Sequence, residues 1–289
     1  MGTTWRVLYA APVPAAVVQA AIVERLAGLV DEMSHWAADS HLARFNRAAP
    51  GSWVALPPDF ATVIDAALRV AAASGGAFDP AMGRLVDLWG YGPPGPMPEP
   101  DPHAIAAALA TAGWQRLRWD PPARRLRQPG GLALDLSGIA KGHAVDAVAD
   151  LLAAHGIGHA LVEVGGELVG RGVQPNGEPW WVDLETPPGL DVAPLRIALH
   201  GLAVATSGDY VRGAHTLDPR TGRPAANGVV AVSVITGSAM LADALATALA
   251  VGFPNIAPGG MAVAARLLVR DGNGIREVVT PALAAMLTD

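Results

Sequence analysis

The sequence predicts an α+β fold, with mixed or antiparallel sheets flanked by helices. Three observations carry that expectation. Short apolar runs separated by turns crowd residues 159–236, and such runs read as strands. Amphipathic helical stripes sit towards both ends rather than between successive strands, which disfavours alternating βαβ units. The composition is 51% hydrophobic and 16% charged, enough apolar material for a large core, read as one domain over residues 1–289.

The elements follow in order. Trp5, Val7 and Tyr9 alternate with Thr4, Arg6 and Leu8, the period of a strand. Pro14 opens a helix reaching about Met33, with Val17, Ala20, Ala21, Leu26, Leu29 and Val30 on its stripe. "SHWAADSHLARFN" reads as irregular. Pro57 and Pro58 precede a helix over 59–73, stopped by "SGG". "GYGPPGPMPEPDPH", residues 90–103, is a long loop, and residues 103–112 form a short helix. "LRWD" and "RRLRQ" flank "PPA" as a hairpin. "LALDL" reads as a strand, followed by an "SG" turn and a helix over 140–153. Six strands are then expected from "HALVEVGG" to "GVVAVSVIT". Helices over 240–251 and near 260–268 complete the chain.

Bulk properties exclude several function classes. A net charge of -6 without an aromatic-basic cluster gives no nucleic-acid footprint. The absence of cysteine removes disulfides and thiolate metal sites. No apolar run approaches the ~20 residues of a membrane span. The first residues lack the charged start and apolar stretch of a signal peptide. The expectation is a cytoplasmic protein, with a periplasmic or membrane-anchored location as the alternative if a leader precedes this start.

Three segments carry candidate chemistry. In "LALDLSGIAKGHAVDAVADLL", Lys141 is the only lysine of the chain. It falls in the first turn of a helix, where a cation opposes the helix dipole. It is either an exposed lysine bearing that small penalty or a ligand for an anion such as phosphate docked at the helix start. On this reading, Lys141→Ala leaves the fold unharmed. Asp135, beside it, suits a hydroxyl, a base edge or a metal. In "SAMLADALATAL", Asp243 and Thr247 stand at i and i+4 on one helix face. They read either as hard oxygen ligands for Mg²⁺ or as a dipole partner and a back-bonding threonine. In "AVATSGDYVRGAHTLDPRTGRP", His215 lies in a turn-rich loop, as base, ligand or plain turn residue. Gly165-Gly166, Phe78-Asp79 and Trp36 are lesser candidates for ligand contact.

Taken in order, "MGTTWRV", "MSHWAADSHLARFN", "GGAFDPAMGRLVDLWGYGP", "DLSGIAKGHAVD", "VEVGGELVGRG", "ATSGDYVRGAHTLDPRTGRP" and "ADALATAL" resemble the ApbE family of FAD:protein FMN transferases. The resemblance runs from Met1 to about Phe253. It implies a T-fold-like architecture with FAD in a central cleft. It also implies Mg²⁺-dependent transfer of FMN from FAD to a threonine of a target protein through a phosphoester, with release of AMP. The implied FAD contacts are Met1, Trp36, Ala77, Phe78, Asp79, Asp135, Lys141, Gly165, Gly166, Ala214, His215 and Thr216. The implied metal ligands are Asp243 and Thr247, with carbonyl oxygens at Gly138 and Met240. His215 and Asp243 are the implied catalytic residues, His215 as the group that orients or deprotonates the threonine. Departures are Glu167 where the family usually has Asp, Ala81 for Thr, and Arg84 for a frequent Pro. The same site would also serve an FAD pyrophosphatase giving FMN and AMP. A non-catalytic flavin carrier is the reading from another class, and the Asp243/Thr247 pair disfavours it.

Overall fold

Alternation along a central antiparallel sheet organises the molecule. The computed structural model describes residues 3–210, 213, 215–254, 263–272 and 274–287. Seven strands make the sheet: β1 (Trp5–Tyr9), β5 (Ala160–Val164), β6 (Glu167–Arg171), β9 (Leu202–Gly208), β12 (Val229–Thr236), β13 (Ala264–Asp271) and β14 (Gly274–Val279), in that spatial order. Every neighbouring pair is antiparallel. On one face Val162, Val164, Val232 and Val234 meet two helices, α6 (Ala140–Ala154) and α7 (Ala239–Gly252). On the other, Leu161, Val204, Ile235 and Ala264 pack under a hairpin, β7 (Trp180–Asp183) with β8 (Arg196–Leu199), and under α8 (Pro281–Met286). Both faces are thus covered, which explains why these strands read as nearly continuous apolar runs.

The first half of the chain wraps the α6 side. It contains α1 (Ala15–Met33), α2 (His41–Arg47), α3 (Pro58–Ala73), α4 (Gly83–Leu88) and α5 (Pro102–Thr111). A small sheet, β2 (Trp53–Ala55), β4 (Arg125–Arg127) and β3 (Arg118–Asp120), closes that side. A two-residue ladder, β10 (Leu217–Asp218) with β11 (Arg223–Pro224), follows the loop after β9. Among the described residues no helix is long and apolar enough to cross a membrane.

Four expectations need correction. The segment read as irregular contains α2, begun by Ser40, whose side chain accepts from the Ala43 N–H. "LALDL" is extended but joins no sheet. Its backbone is satisfied instead by the Asn46 amide, which donates to the Leu134 carbonyl and accepts the Leu134 N–H, and by Pro80 and Gly83. The helix expected near 260–268 is a strand over its described part, since residues 264–271 form β13. Helix-favouring Ala, Leu and Arg lose there to a position between β12 and β14, where Leu267 and Leu268 are buried on opposite faces. The stripe of α1 is Val18, Ile22, Leu26, Leu29 and Met33, leaving Val17 exposed.

Helices α6 and α7 are clamped start to start. Asp146 of α6 accepts from the Ser238 hydroxyl and from the Ala239 and Met240 N–H groups at 2.7–3.0 Å, satisfying the free donors that begin α7. In return Asp243 of α7 accepts the Gly142 N–H at 3.1 Å. The helices approach so closely there that a Cβ on Gly142 would overlap the Ala239 carbonyl oxygen. Asp146→Ala is expected to cost about 2 kcal/mol, the upper range for an N-cap, read as a lower urea midpoint at unchanged slope.

Candidate active site

A cleft of about 430 Å³ opens where the starts of α6 and α7, the β5–β6 turn and the loop after β9 converge. Its walls contain Ala77, Phe78, Asp79, Asp135, Gly138, Lys141, Gly165 and Gly166. They also contain His215, Thr216, Asp243 and Thr247. Twelve of the residues singled out from sequence, drawn from five separate motifs, therefore meet in one place. Met240 sits at the α7 start outside the wall, its N–H engaged by Asp146. Trp36 is 61% exposed and also outside the wall. Met1 and Ala214 lie outside the described residues. Ala81 and Arg84 do not line the cleft, and Arg84 donates to the Gly131 carbonyl.

One end of the cleft is built from α7. The i,i+4 spacing puts the Asp243 carboxylate and Thr247 hydroxyl on the cleft face. Thr247 Oγ1 lies 3.3 Å from Ser207 Oγ of β9, and the Gly138 backbone comes close enough that a Cβ there would sit 3.0 Å from that oxygen. Across from them the β5–β6 turn, with both glycines at positive φ, delivers Glu167 into the interior. Lys141 Nζ contacts Glu167 Oε1 and lies 3.8 Å from Asp243 Oδ1. Glu167 Oε2 is buried with no hydrogen-bond partner. Burial, and then the Asp243 charge, raise the Glu167 carboxyl above its ordinary range against the pull of Lys141. Burial likewise raises Asp243. Buried, under-neutralised hard oxygens are the donors a divalent cation takes. No group of three acidic or histidine side chains forms a metal cage among the described residues. Mg²⁺ needs none where one or two carboxylates and substrate phosphates share it, so the donor set fits.

Lys141 is not the dispensable lysine expected from its helix position. Its ammonium is the counter-charge of a buried carboxylate, and removing it strands that charge, a costly change. Lys141→Ala is therefore destabilising, whatever relief the α6 dipole gives.

The opposite end of the cleft is held by other carboxylates. Asp79 accepts the Ala81 and Trp114 N–H groups at 2.8 and 3.0 Å, and burial pushes its pKa to about 6. Asp135 accepts from the Ser137 hydroxyl and N–H, turning the chain into α6. His35 lies behind Asp135, its Nδ1 3.6 Å from that carboxylate and its Nε2 3.2 Å from Asp87. His215, on the loop after β9, places Nδ1 3.0 Å from the Gly213 carbonyl and its ring edge-on to Tyr91. Tyr210, raised by burial and by its hydrogen bond to Glu185, completes that wall.

Sequence reasoning missed Glu167 as a site residue, and with it His35, Ser207, Tyr210 and Glu185. Glu167 stood in view directly after the two glycines. Period 2 from Val164 would have pointed it inwards only once the turn register was known. His35 carries no local signal, because both its partners come from distant segments.

His35 also gives the site a pH signature. Burial opposes its protonation, but the neighbouring carboxylates of Asp135 and Asp87 outweigh this and raise its pKa to about 9. Between about pH 6.5, the unperturbed value, and 9 the folded state then holds a proton that the unfolded state has lost. Stability falls as pH rises through that window. The melting temperature of His35→Gln is expected to fall less than wild type between pH 6.5 and 9, measured side by side.

Known proteins share this sequence pattern and this fold. The ApbE family pattern matches residues 1–264. The FAD:protein FMN transferase of Vibrio cholerae is 36% identical over 307 residues, spanning 100% of this chain and 91% of the relative. That of Klebsiella pneumoniae is 34% identical over 307 residues, spanning 99% and 87%. The apo crystal structure of Pseudomonas stutzeri flavinyl transferase ApbE matches with a TM-score of 0.91 at 36% identity, covering 99% of this chain and 93% of that one. The ApbE protein of Thermotoga maritima matches with a TM-score of 0.84 at 30% identity, covering 99% and 96%. With its fold and nearly its whole length in common with these proteins, the chain belongs to the ApbE family.

Proposed function

We infer that this chain transfers FMN from FAD to a threonine hydroxyl of a target protein, with Mg²⁺ at Asp243 and Thr247. One observation carries the reading. The α6 start with Lys141, suited to a pyrophosphate, and the hard oxygens of α7 share a single cleft. Bound there, the cation would supply charge neutralisation for the phosphates and the AMP leaving group.

The chain's own residues account for the rest. Phe78 and Ala77 offer an apolar wall to the flavin, and Asp79 and Asp135 are hydrogen-bonded carboxylates held in fixed positions. The Gly213 carbonyl can only accept, so the His215 nitrogen facing it, Nδ1, carries the proton. Nε2 is then left with its lone pair, the state a general base needs. The threonine Oγ attacks the phosphorus on the flavin side of the pyrophosphate. The new Oγ–P bond forms as the bond to the bridging oxygen breaks. AMP leaves with that oxygen, and the hydroxyl proton passes to His215 Nε2. Water in place of threonine would give FMN and AMP by hydrolysis.

The test is incubation with FAD, Mg²⁺ and an acceptor domain, followed by mass spectrometry. FMN addition to a threonine is expected, and FMN plus AMP without a protein adduct would support hydrolysis instead. Asp243→Asn, which keeps side-chain volume, should lower the Mg²⁺-dependent rate about 100-fold or more while the circular dichroism spectrum is retained. His215→Ala should lower kcat by about 100-fold or more while FAD still binds. A variant that keeps wild-type kcat would remove His215 from the role of base.

A further inference from the structure

The cation end of the cleft holds two buried carboxylates and one ammonium. Glu167 is 2% and Asp243 3% exposed. Lys141 Nζ touches Glu167 Oε1 and lies 3.8 Å from Asp243 Oδ1. The remaining oxygens differ: Asp243 Oδ2 receives the Gly142 N–H, while Glu167 Oε2 has no hydrogen-bond partner. Glu167 does not belong to the assigned cation ligands, yet its burial is costly unless it serves something.

We propose that Lys141 is the built-in counter-ion of the cation site, positioned by Glu167, and that it competes with the divalent ion for Asp243. The inference rests on the reading of Asp243 as a cation ligand. Without an ion, the ammonium lies between the two carboxylates and offsets half of their charge. A divalent ion on Asp243 repels an ammonium a few ångströms away. Lys141 must then withdraw onto Glu167 or outwards to an anion in the cleft. The pyrophosphate of FAD offers such an anion, so nucleotide and ion favour each other's binding by giving the lysine a second seat. That coupling is reciprocal by linkage.

The experiment compares wild type with Lys141→Met, Glu167→Gln, the double variant and Asp243→Asn. Each is titrated with Mg²⁺ alone and then with Mg²⁺ and FAD, by calorimetry and by melting temperature. Without nucleotide, Lys141→Met should bind Mg²⁺ about ten-fold more tightly than wild type, and Glu167→Gln about ten-fold more weakly, within the usual range of coupling between sites. FAD should tighten Mg²⁺ binding less in Lys141→Met than in wild type. The ion-free melting temperature should fall in Lys141→Met and recover in the double variant, which no longer buries an unpaired Glu167.

An unchanged or weaker Mg²⁺ affinity in Lys141→Met, with Mg²⁺ lost in Asp243→Asn, overturns the counter-ion role alone. Wild-type Mg²⁺ binding by Asp243→Asn overturns the cation site itself. If Lys141→Met does not fold, Glu167→Gln decides, and Mg²⁺ affinity equal to wild type in that variant overturns the proposal.

Discussion

The reciprocal clamp between α6 and α7 is the contact on which the cleft depends. Asp146 of α6 supplies the acceptors that the first turn of α7 lacks, and Asp243 of α7 accepts an N–H from the first turn of α6. Each helix thus completes the other's start. Gly142 permits this, since any larger residue would hold the helices apart. Both helices rest on the same face of the central sheet, α6 over β5 and β6 and α7 over β9 and β12. The clamp therefore fixes the relative position of the anion-suited and cation-suited ends of the site to within the precision of a packed core.

That arrangement has an electrostatic consequence. A helix start rich in free N–H groups is positive, and the carboxylates gathered there are favoured by it. Asp243 serves as a structural acceptor and, on the proposed reading, as a cation ligand. Glu167 enters from the β5–β6 turn on the opposite wall, so the charges of the site are carried by rigid elements rather than by loops. Holding buried carboxylates under-neutralised costs stability, and a functional site is where such a cost is retained. The opposite end of the cleft shows the contrasting solution. There Asp79 and Asp135 have their oxygens taken up by backbone and side-chain donors and organise the loops around them.

Much of this was legible in the sequence because it is local. The alternation of β1, the Pro-opened α3 and the α7 pair at i and i+4 are patterns a few residues long, and the structure keeps them. The pairs Asp135/Lys141 and Asp243/Thr247 are each local, but grouping one pair with the other rests on the family resemblance rather than on spacing, since the two pairs are about a hundred positions apart. What the sequence did not reveal is non-local. β13 has helix-favouring residues and became a strand because two neighbours flank it. Arg266 within it, 1% exposed, is acceptable there only because Glu277, Thr186 and the Ala193 carbonyl meet it. "LALDL" has strand composition, but its hydrogen bonds go to Asn46, 88 residues earlier. The helix position of Lys141 is legible in the sequence but its energy is not, because its partner Glu167 lies across a turn whose register composition does not disclose.

The single lysine among nineteen arginines then acquires a chemical reason. An arginine at 141 would present a planar fork that locks onto a carboxylate with two parallel bonds. Facing a buried glutamate, that fork would be held in one place, and its always-charged guanidinium would remain beside Asp243. A lysine carries the same charge as a point on a flexible stem, able to turn between partners a few ångströms apart without breaking a bidentate pair. Two carboxylates and a helix start surround this position: one carboxylate with an orphaned oxygen, one suited to a cation, and beside them a space suited to phosphate. In a sequence that otherwise uses arginine for every permanent positive charge, the exception stands where a movable charge fits the surroundings and a fixed one does not.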